Sequence, residues 1–174
     1  PCNYAYLCSQ ICTMQQAYII NGVRTAIGNF GGTLAPVRSD DLATLVLKEL
    51  IKKNPGLNWE EVADLIMGCA NQAGEDNRNV ARMAGLMAGL PISVPAQTVN
   101  RLCASGLAAS MDAARMIQTG DAELMIAGGV ENMTRGPWVI GKAGSAYGRD
   151  QQMYDSSFGW RFINPKMKEM FGVD

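Results

Sequence analysis

Residues 97–118 read QTVNRLCASGLAASMDAARMIQ, and this stretch decides the fold. Its first residues are typical of a short apolar strand that ends at Asn100, and residues 103–118 have the composition of a helix. Asp112 and Arg115 are the only charged residues in that helix. A helix on a protein surface carries a charged face, so we expect a helix with so few charged residues to be buried on most sides.

Cys103 falls at the turn between that strand and that helix. Unpaired backbone N–H groups and the positive end of the helix dipole gather at such a turn. The setting favours a thiolate and provides a backbone N–H, that of Cys103 itself, for a developing oxyanion. Position alone leaves two interpretations open. Cys103 is either a nucleophile that forms an acyl-thioester or a buried structural cysteine, since free cysteine is among the most buried residue types.

The composition excludes several classes of protein. The 174 residues suffice for one domain with a sizeable core. The charged fraction of 18 % is below the roughly 25 % usual for globular domains, which indicates extensive burial or a large interface. A net charge of −1 without a basic cluster argues against nucleic acid or an anionic membrane as partner. No apolar run reaches the roughly 18 residues that a membrane span needs.

The sequence has five cysteines and no histidine. Cys2, Cys8 and Cys12 crowd the N-terminus, whereas Cys69 and Cys103 stand alone. The odd count and the lack of a C-x-x-C spacing argue against a disulfide framework and against a metal site, so we expect a reducing, cytoplasmic location and no bound metal. The missing histidine matters because acyl transfer usually needs a general base of that kind.

Strands and helices alternate along the chain. Strands are predicted at 17–23, 65–67, 97–100 and 124–127, and helices at 39–53, 80–88 and 103–118, with residues 39–41 capping the first helix. This alternation predicts an α/β fold with a parallel, layered sheet.

Two loops contain residue types that also occur in ligand sites. Residues 28–32 are rich in glycine but lack the lysine and the following helix of a phosphate-binding loop, so we interpret them as a flexible turn. Residues 71–79 contain Glu75 and Asp76, a pair that could be taken for a metal or acid–base site. Because no histidine or spaced third ligand accompanies them, we interpret this loop as solvated or part of an interface.

The run VNRLCASGLAASMDAARMIQTGDAELMIAGGVENM at 99–133 resembles the active-site cysteine segment of the thiolases, which make or cleave 3-oxoacyl-CoA thioesters. Three further runs carry the resemblance: RTAIG at 24–28, GCANQAGEDNRN at 68–79 and GWRFINP at 159–165. The likeness covers residues 14–174 and is strongest to the branch of the family that acts on 3-oxoadipyl-CoA.

The resemblance implies a layered thiolase-like fold, of which this chain contains the N-terminal half: a mixed, mostly parallel sheet with a central buried helix. Residues 14–131 would form the α/β core, and 132–174 the beginning of the loop domain that shapes the substrate pocket. Residues 1–13 precede the likeness, so we expect them to be non-native or upstream of a natural start at Met14. The family likeness also puts the 71–79 loop near a subunit contact, in a homodimer or homotetramer.

The resemblance also implies a mechanism. The Cys103 thiolate would attack a 3-oxoacyl-CoA, acetyl-CoA would leave, and a second coenzyme A would collect the acyl group; coenzyme A is then a substrate, and no cofactor is bound permanently. The family also uses a histidine and a second cysteine from its C-terminal half, and this sequence has a candidate for neither. The chain by itself is therefore predicted to be inactive.

Two weaker candidates for substrate contact come from the same resemblance. Met133 would approach the acyl pocket, or would pack beneath the loop domain as a gap-filler. Arg161 would pair with the distal carboxylate of a dicarboxylic substrate, or would be an ordinary surface arginine.

Three other functions stay open on the sequence: an acetyl-CoA acetyltransferase acting on acetoacetyl-CoA, a decarboxylating 3-oxoacyl synthase of the same broad fold, and a non-catalytic half-domain that binds CoA thioesters or a partner chain. The runs at 68–79 and 159–165 follow the thiolase pattern and disfavour the synthase. The missing histidine favours the non-catalytic half-domain. That function, however, would not explain the presence of Cys103 at a turn between a strand and a helix.

Overall fold

The centre of the protein is a three-stranded parallel sheet in a computed structural model that describes residues 14–172. Its strands are β1 (Asp64–Gly68), β2 (Ala96–Val99) and β3 (Met125–Gly129), in the order β2-β1-β3. Gly68, the last residue of β1, is in register with Val99 and with Gly129. The carboxyl ends of all three strands therefore meet at one edge of the sheet, which we call the carboxyl edge.

The helices are α1 (Ser39–Lys53), α2 (Val80–Ala88), α3 (Ser105–Thr119) and α4 (Pro165–Phe171). Beyond β3 the described chain forms a 3-10 turn, Met133–Arg135, an antiparallel hairpin of β4 (Trp138–Ile140) and β5 (Met153–Asp155), and then α4. The predicted helices and the three predicted strands of the sheet are confirmed, with ends that shift by no more than about two residues, as is usual for boundaries. No helix within 14–172 is long and apolar enough to cross a membrane.

Residues of β1 alternate between the two faces of the sheet. Leu65 and Met67 join the buried cluster formed with α1 and α2, and Leu65 lies against Gly85 of α2. Gly68 points to the opposite face, toward the start of α3. Helices thus cover both faces of β1, which explains why its residues after Asp64 are all apolar and buried.

The start of α3 packs directly on the end of β1. A Cβ atom added at Gly68 would lie 2.3 Å from the carbonyl carbon of Ser105 and 2.4 Å from the backbone nitrogen of Gly106. The missing side chain at Gly68 is therefore what lets α3 begin this close to the sheet. The helix ends at Gly120, whose φ of +81° forms the left-handed cap typical of glycine.

The strand predicted at 17–23 is wrong. These residues belong to no strand, and Ile19 is 96 % exposed. An apolar groove of about 680 Å³ lies between the segment 21–30 on one side and α1 and β3 on the other. A strand needs a partner about 4.8 Å away for its backbone hydrogen bonds, and within the described chain residues 17–23 pair with no strand.

Helix α3 is buried on one face only within the described part of the chain, rather than on most sides. Ser105, Ala109 and Ala113 are buried, whereas Leu107 is 66 % exposed and Met111 is also exposed. Leu107 and Met111 therefore form an exposed apolar face on this helix, which has only two charged residues.

The predicted cap of α1 is also wrong. The helix begins at Ser39, and its N-cap residue is Arg38, whose side chain makes no capping hydrogen bond. Asp40 Oδ1 accepts the N–H of Asp41 within the first turn at 3.1 Å, and Asp40 Oδ2 lies 2.8 Å from Arg38 Nη2. The upstream segment predicted at 1–13 lies outside the described residues, and the domain division after residue 131 stays a prediction.

Candidate active site at the carboxyl edge of the sheet

Cys103 lies just before α3, in a turn that begins where β2 ends. The turn is fixed by the side chain of Asn100. Its Oδ1 accepts a hydrogen bond from the backbone N–H of Leu102 at 2.9 Å, and its Nδ2 donates to the carbonyl oxygen of Ala70 at 3.1 Å. Asn100 thus connects the turn to the residues that follow β1.

Ser105 holds the same turn from the helix side. Its hydroxyl accepts a hydrogen bond from the Arg101 N–H at 2.8 Å and donates to the Leu102 carbonyl at 2.6 Å. Leu102 has a φ of +52°, in the left-handed region that costs a non-glycine residue about 1–2 kcal/mol. Both polar groups of the Leu102 backbone are therefore fixed by neighbouring side chains.

Cys103 itself is exposed. In residues 14–172 its backbone N–H makes no hydrogen bond, and no side chain caps α3. An exposed thiol beside a free N–H at the start of a helix is an arrangement that can form a thioester and stabilise an oxyanion. The role of Cys103 as nucleophile stays a prediction, and so does the role of its N–H as oxyanion donor.

The other described cysteine, Cys69, has the environment of a structural residue. It is 1 % exposed, and its thiol donates to the carbonyl oxygen of Asn71 at 3.1 Å. Burial raises the pKa of the Cys69 thiol far above its usual range, and the nearby carboxylates of Glu131 and Asp76 raise it further. Cys69 is therefore a protonated, inert thiol at neutral pH.

Asp76 in the 71–79 loop is buried rather than solvated, and the alternative that this loop forms part of an interface stays a prediction. Asp76 is 5 % exposed, its Oδ1 accepts the Gly74 N–H at 2.9 Å, and burial raises the pKa of its carboxyl group. Ligand atoms of Cys69, Asp76 and Glu131 lie within 4.8 Å of one another, close enough for a metal ion. The sequence prediction missed this third donor because Glu131 is distant in the chain. Each of the three groups also makes hydrogen bonds within the protein, and the prediction of no metal stays a prediction.

Glu75 fastens the same loop to the rest of the protein. It accepts a hydrogen bond from Arg135 Nε at 2.6 Å and a second from Arg135 Nη2, and Arg38 lies 3.5 Å away. The hydrogen-bonded Arg135 guanidinium lowers the pKa of Glu75. No sequence signal pairs residues so far apart, so this network was missed.

Glu131 connects the carboxyl ends of β1 and β3. Its carboxylate accepts the N–H of Ala70 at 2.7 Å and that of Asn71 at 3.3 Å. Sequence reasoning placed neither Glu131 nor Asn100 in the site. The available signal was their position one or two residues after a strand, because the residues beyond the carboxyl ends of parallel strands meet at one edge.

Met133 and Arg161, the weaker candidates, are not brought to Cys103 by any contact in residues 14–172. Met133 is 43 % exposed and lines the apolar groove, whose lining does not include Cys103. Arg161 donates from Nη1 to the Ser156 carbonyl at 3.3 Å and has no carboxylate partner in the described part of the chain. Their proposed contacts with substrate stay predictions.

A family model described as the N-terminal domain of thiolase matches residues 17–158. The chain belongs to the thiolase family. It is 58 % identical over 161 residues to the beta-ketoadipyl-CoA thiolase of Acinetobacter baylyi and to the 3-oxoadipyl-CoA/3-oxo-5,6-dehydrosuberyl-CoA thiolase of Escherichia coli K12. Each match covers 92 % of this chain, and the chain spans about 40 % of the length of these relatives.

The crystal structure of the Bacillus anthracis acetyl-CoA acetyltransferase has the same fold. It superposes with a TM-score of 0.73 at 38 % identity, over 82 % of this chain and 36 % of that one. The resemblance inferred from the sequence and the α/β fold of an N-terminal thiolase half are thereby confirmed.

Proposed function

We propose that this thiolase chain supplies the nucleophile for the thiolysis of 3-oxoadipyl-CoA by coenzyme A to succinyl-CoA and acetyl-CoA, or for the reverse condensation. The observation that carries the proposal is the exposed Cys103 on a hydrogen-bonded turn at the start of α3. The names of the relatives that are 58 % identical support the choice of substrate.

In the proposed reaction the Cys103 thiolate attacks the 3-oxo carbon of the substrate. The backbone N–H of Cys103 stabilises the oxyanion, and the bond between C2 and C3 then breaks. The electron pair leaves with the acetyl-CoA portion, which takes up a proton, while the acyl group stays on sulfur. A second coenzyme A thiol attacks this thioester and releases the product, so that one difficult step becomes two easier ones.

The proposal makes acyl-CoA and coenzyme A the substrates, with no permanently bound cofactor. It includes Met133 and Arg161 as substrate contacts, a loop domain from residue 132 onward, a homodimeric or homotetrameric assembly and a cytoplasmic location. The proton transfers need a histidine and a second cysteine that the family likeness puts in the C-terminal half. The chain alone is therefore expected to turn over about 10²–10⁴-fold more slowly for each missing acid–base group.

An acetyl-CoA acetyltransferase that uses acetoacetyl-CoA is the second candidate, because the structural neighbour from Bacillus anthracis is an acetyl-CoA acetyltransferase. Its identity of 38 % is lower than the 58 % of the 3-oxoadipyl-CoA relatives, and we therefore prefer the dicarboxylic substrate.

The test is to express the chain within a full-length thiolase and compare kcat/KM for 3-oxoadipyl-CoA and acetoacetyl-CoA. We expect a clear preference for 3-oxoadipyl-CoA, and a preference for acetoacetyl-CoA would overturn the substrate assignment. Acetyl transfer from acetyl-CoA to Cys103, mapped on peptides, tests the nucleophile. Binding without such labelling would favour the non-catalytic half-domain, and CO₂ release from a malonyl thioester would favour the synthase.

A further inference from the structure

We propose that Asn100 is a positioning residue for Cys103, and that it holds the thiol by connecting the nucleophile turn to the carboxyl ends of the neighbouring strands. The inference rests on the proposed function of Cys103 as nucleophile. Asn100 is the first residue after β2, and the two ends of its side-chain amide reach in different directions.

The acceptor end of the amide fixes the turn itself. Asn100 Oδ1 accepts the N–H of Leu102, the residue directly before Cys103, at 2.9 Å. Leu102 is 71 % exposed, so packing of its side chain does not hold its left-handed conformation, which has a φ of +52°. Two hydrogen bonds hold it instead: the Leu102 N–H donates to Asn100 Oδ1, and the Ser105 hydroxyl donates to the Leu102 carbonyl.

The donor end of the amide connects the turn to the sheet. Asn100 Nδ2 donates to the carbonyl of Ala70 at 3.1 Å, and the N–H of Ala70 donates to Glu131 at 2.7 Å. A continuous series of hydrogen bonds therefore runs from Glu131, two residues beyond β3, through Ala70, two residues beyond β1, to the turn that carries Cys103. Such a series can fix the direction of the thiol relative to all three strands.

Substitutions of Asn100 distinguish the contributions of its hydrogen bonds to Leu102 and to Ala70. Asn100→Ala removes both of them. Asn100→Asp keeps an acceptor for the Leu102 N–H but places a carboxylate against the Ala70 carbonyl. Leu102→Gly makes the left-handed conformation accessible without help from a side chain. The double variant Asn100→Ala/Leu102→Gly is therefore expected to recover part of the kcat that Asn100→Ala loses.

The test measures two quantities in the full-length protein: the pH dependence of Cys103 alkylation by iodoacetamide, and kcat and KM for thiolysis. For Asn100→Ala we expect kcat to fall about 10–100-fold, since small misplacements of a reacting group have effects of this size, with little change in KM. The rate of Cys103 alkylation should be lower at every pH, which shifts the whole profile downward. Asn100→Asp should be intermediate.

Asn58→Ala is the matched control. Asn58 also accepts a backbone N–H, that of Glu60 at 3.2 Å, and also donates through its amide, to Glu61 at 3.0 Å, but it lies before β1 and away from Cys103. We expect this variant to change thermal stability alone.

An Asn100→Ala variant whose alkylation profile and kcat match those of Asn58→Ala would overturn the inference, even if its Tm falls. A shifted profile without a loss of kcat would keep the positioning role and overturn the proposed catalytic role of Cys103. If Asn100→Ala does not fold, Asn100→Asp decides by the same two measurements.

Discussion

Cys69 and Cys103 follow neighbouring strands of one parallel sheet, and both lie at its carboxyl edge. Cys69 comes directly after β1 and is enclosed by the 71–79 loop, with the carboxyl group of Asp76 beside it. Cys103 lies on the short turn between β2 and α3 and is exposed just before the helix begins. The distance between strand and helix makes the difference. A helix that begins soon after the strand presents the thiol, whereas a loop that folds back covers it.

The largest expected effect comes from replacing each cysteine in turn. Cys103→Ser in the full-length protein should lower kcat at least about 10³-fold, because the nucleophile is lost. Cys69→Ser should keep most of the activity, since a hydroxyl can still donate to the Asn71 carbonyl. Steady-state thiolysis assays on both variants check the comparison. Equal losses at the two positions would contradict the division of roles.

The reactivity of the two thiols gives a second measure of the same contrast. Burial raises the pKa of Cys69, so its thiolate is scarce below pH 9, whereas Cys103 is exposed beside a helix start. We expect Cys103 to react with iodoacetamide at least about 100-fold faster than Cys69 at pH 8. Timed alkylation followed by peptide mapping measures both rates in one sample, and similar rates would show that the two environments are alike.

A third prediction concerns the approach of α3 to the sheet. Gly68→Ala would place a Cβ within 2.4 Å of the backbone of Ser105 and Gly106, so α3 and the Cys103 turn must move. We expect a loss of about 1–3 kcal/mol in the free energy of unfolding and slower alkylation of Cys103. Gly56→Ala is the control, because a Cβ there meets nothing within 4 Å. Denaturant unfolding compares the two variants.

Much of this architecture follows from local pattern, and the failures share one physical cause. The apolar runs predicted β1 and β3, and the helix patterns predicted where α2 and α3 end, next to the left-handed caps at Gly89 and Gly120, because these signals act over a few residues. Residues 17–23 have the pattern of a strand but no strand partner in the described chain. The side-chain pattern of one segment does not show whether a second strand lies beside it for pairing.

The same limit explains the misjudged loop at 71–79. Asp76 and Glu75 resemble solvated carboxylates in sequence, and the groups that bury or pair them lie elsewhere in the chain. Arg135 is an example, since it reaches Glu75 only after the fold has formed. Cys103 was identifiable because its signal, a cysteine between a strand and a helix, is local. Asn100 was within the same stretch, but its bond to Ala70 crosses between strands.

The smallest expected effect concerns the pH dependence of stability at Asp76, whose carboxyl group lies beside the buried Cys69. Burial raises the pKa of Asp76 in the folded protein, so the folded state holds more protons than the unfolded state above the ordinary value of 3.8. Stability contributed by the protonated group is therefore lost as pH rises through the folded pKa. Asp76→Asn removes this penalty and keeps an oxygen for the Gly74 N–H. We expect its Tm to exceed that of the unchanged protein by about 2–4 °C at pH 8, with the difference shrinking toward pH 4.

Glu75→Gln is the control with the opposite sign. Its hydrogen bonds and ion pair with Arg135 lower the pKa of Glu75, so the stability that its carboxylate contributes is present above the ordinary value of 4.5 and is lost as pH falls through the folded pKa. Glu75→Gln should therefore lower Tm at pH 8 and have a smaller effect in acid. Thermal unfolding of both variants between pH 4 and pH 8 measures the two trends together. If the Tm differences of the two variants change with pH in the same direction, Asp76 is solvated, as its sequence context alone indicates. The enclosure of Cys69 would then not depend on a buried carboxyl group.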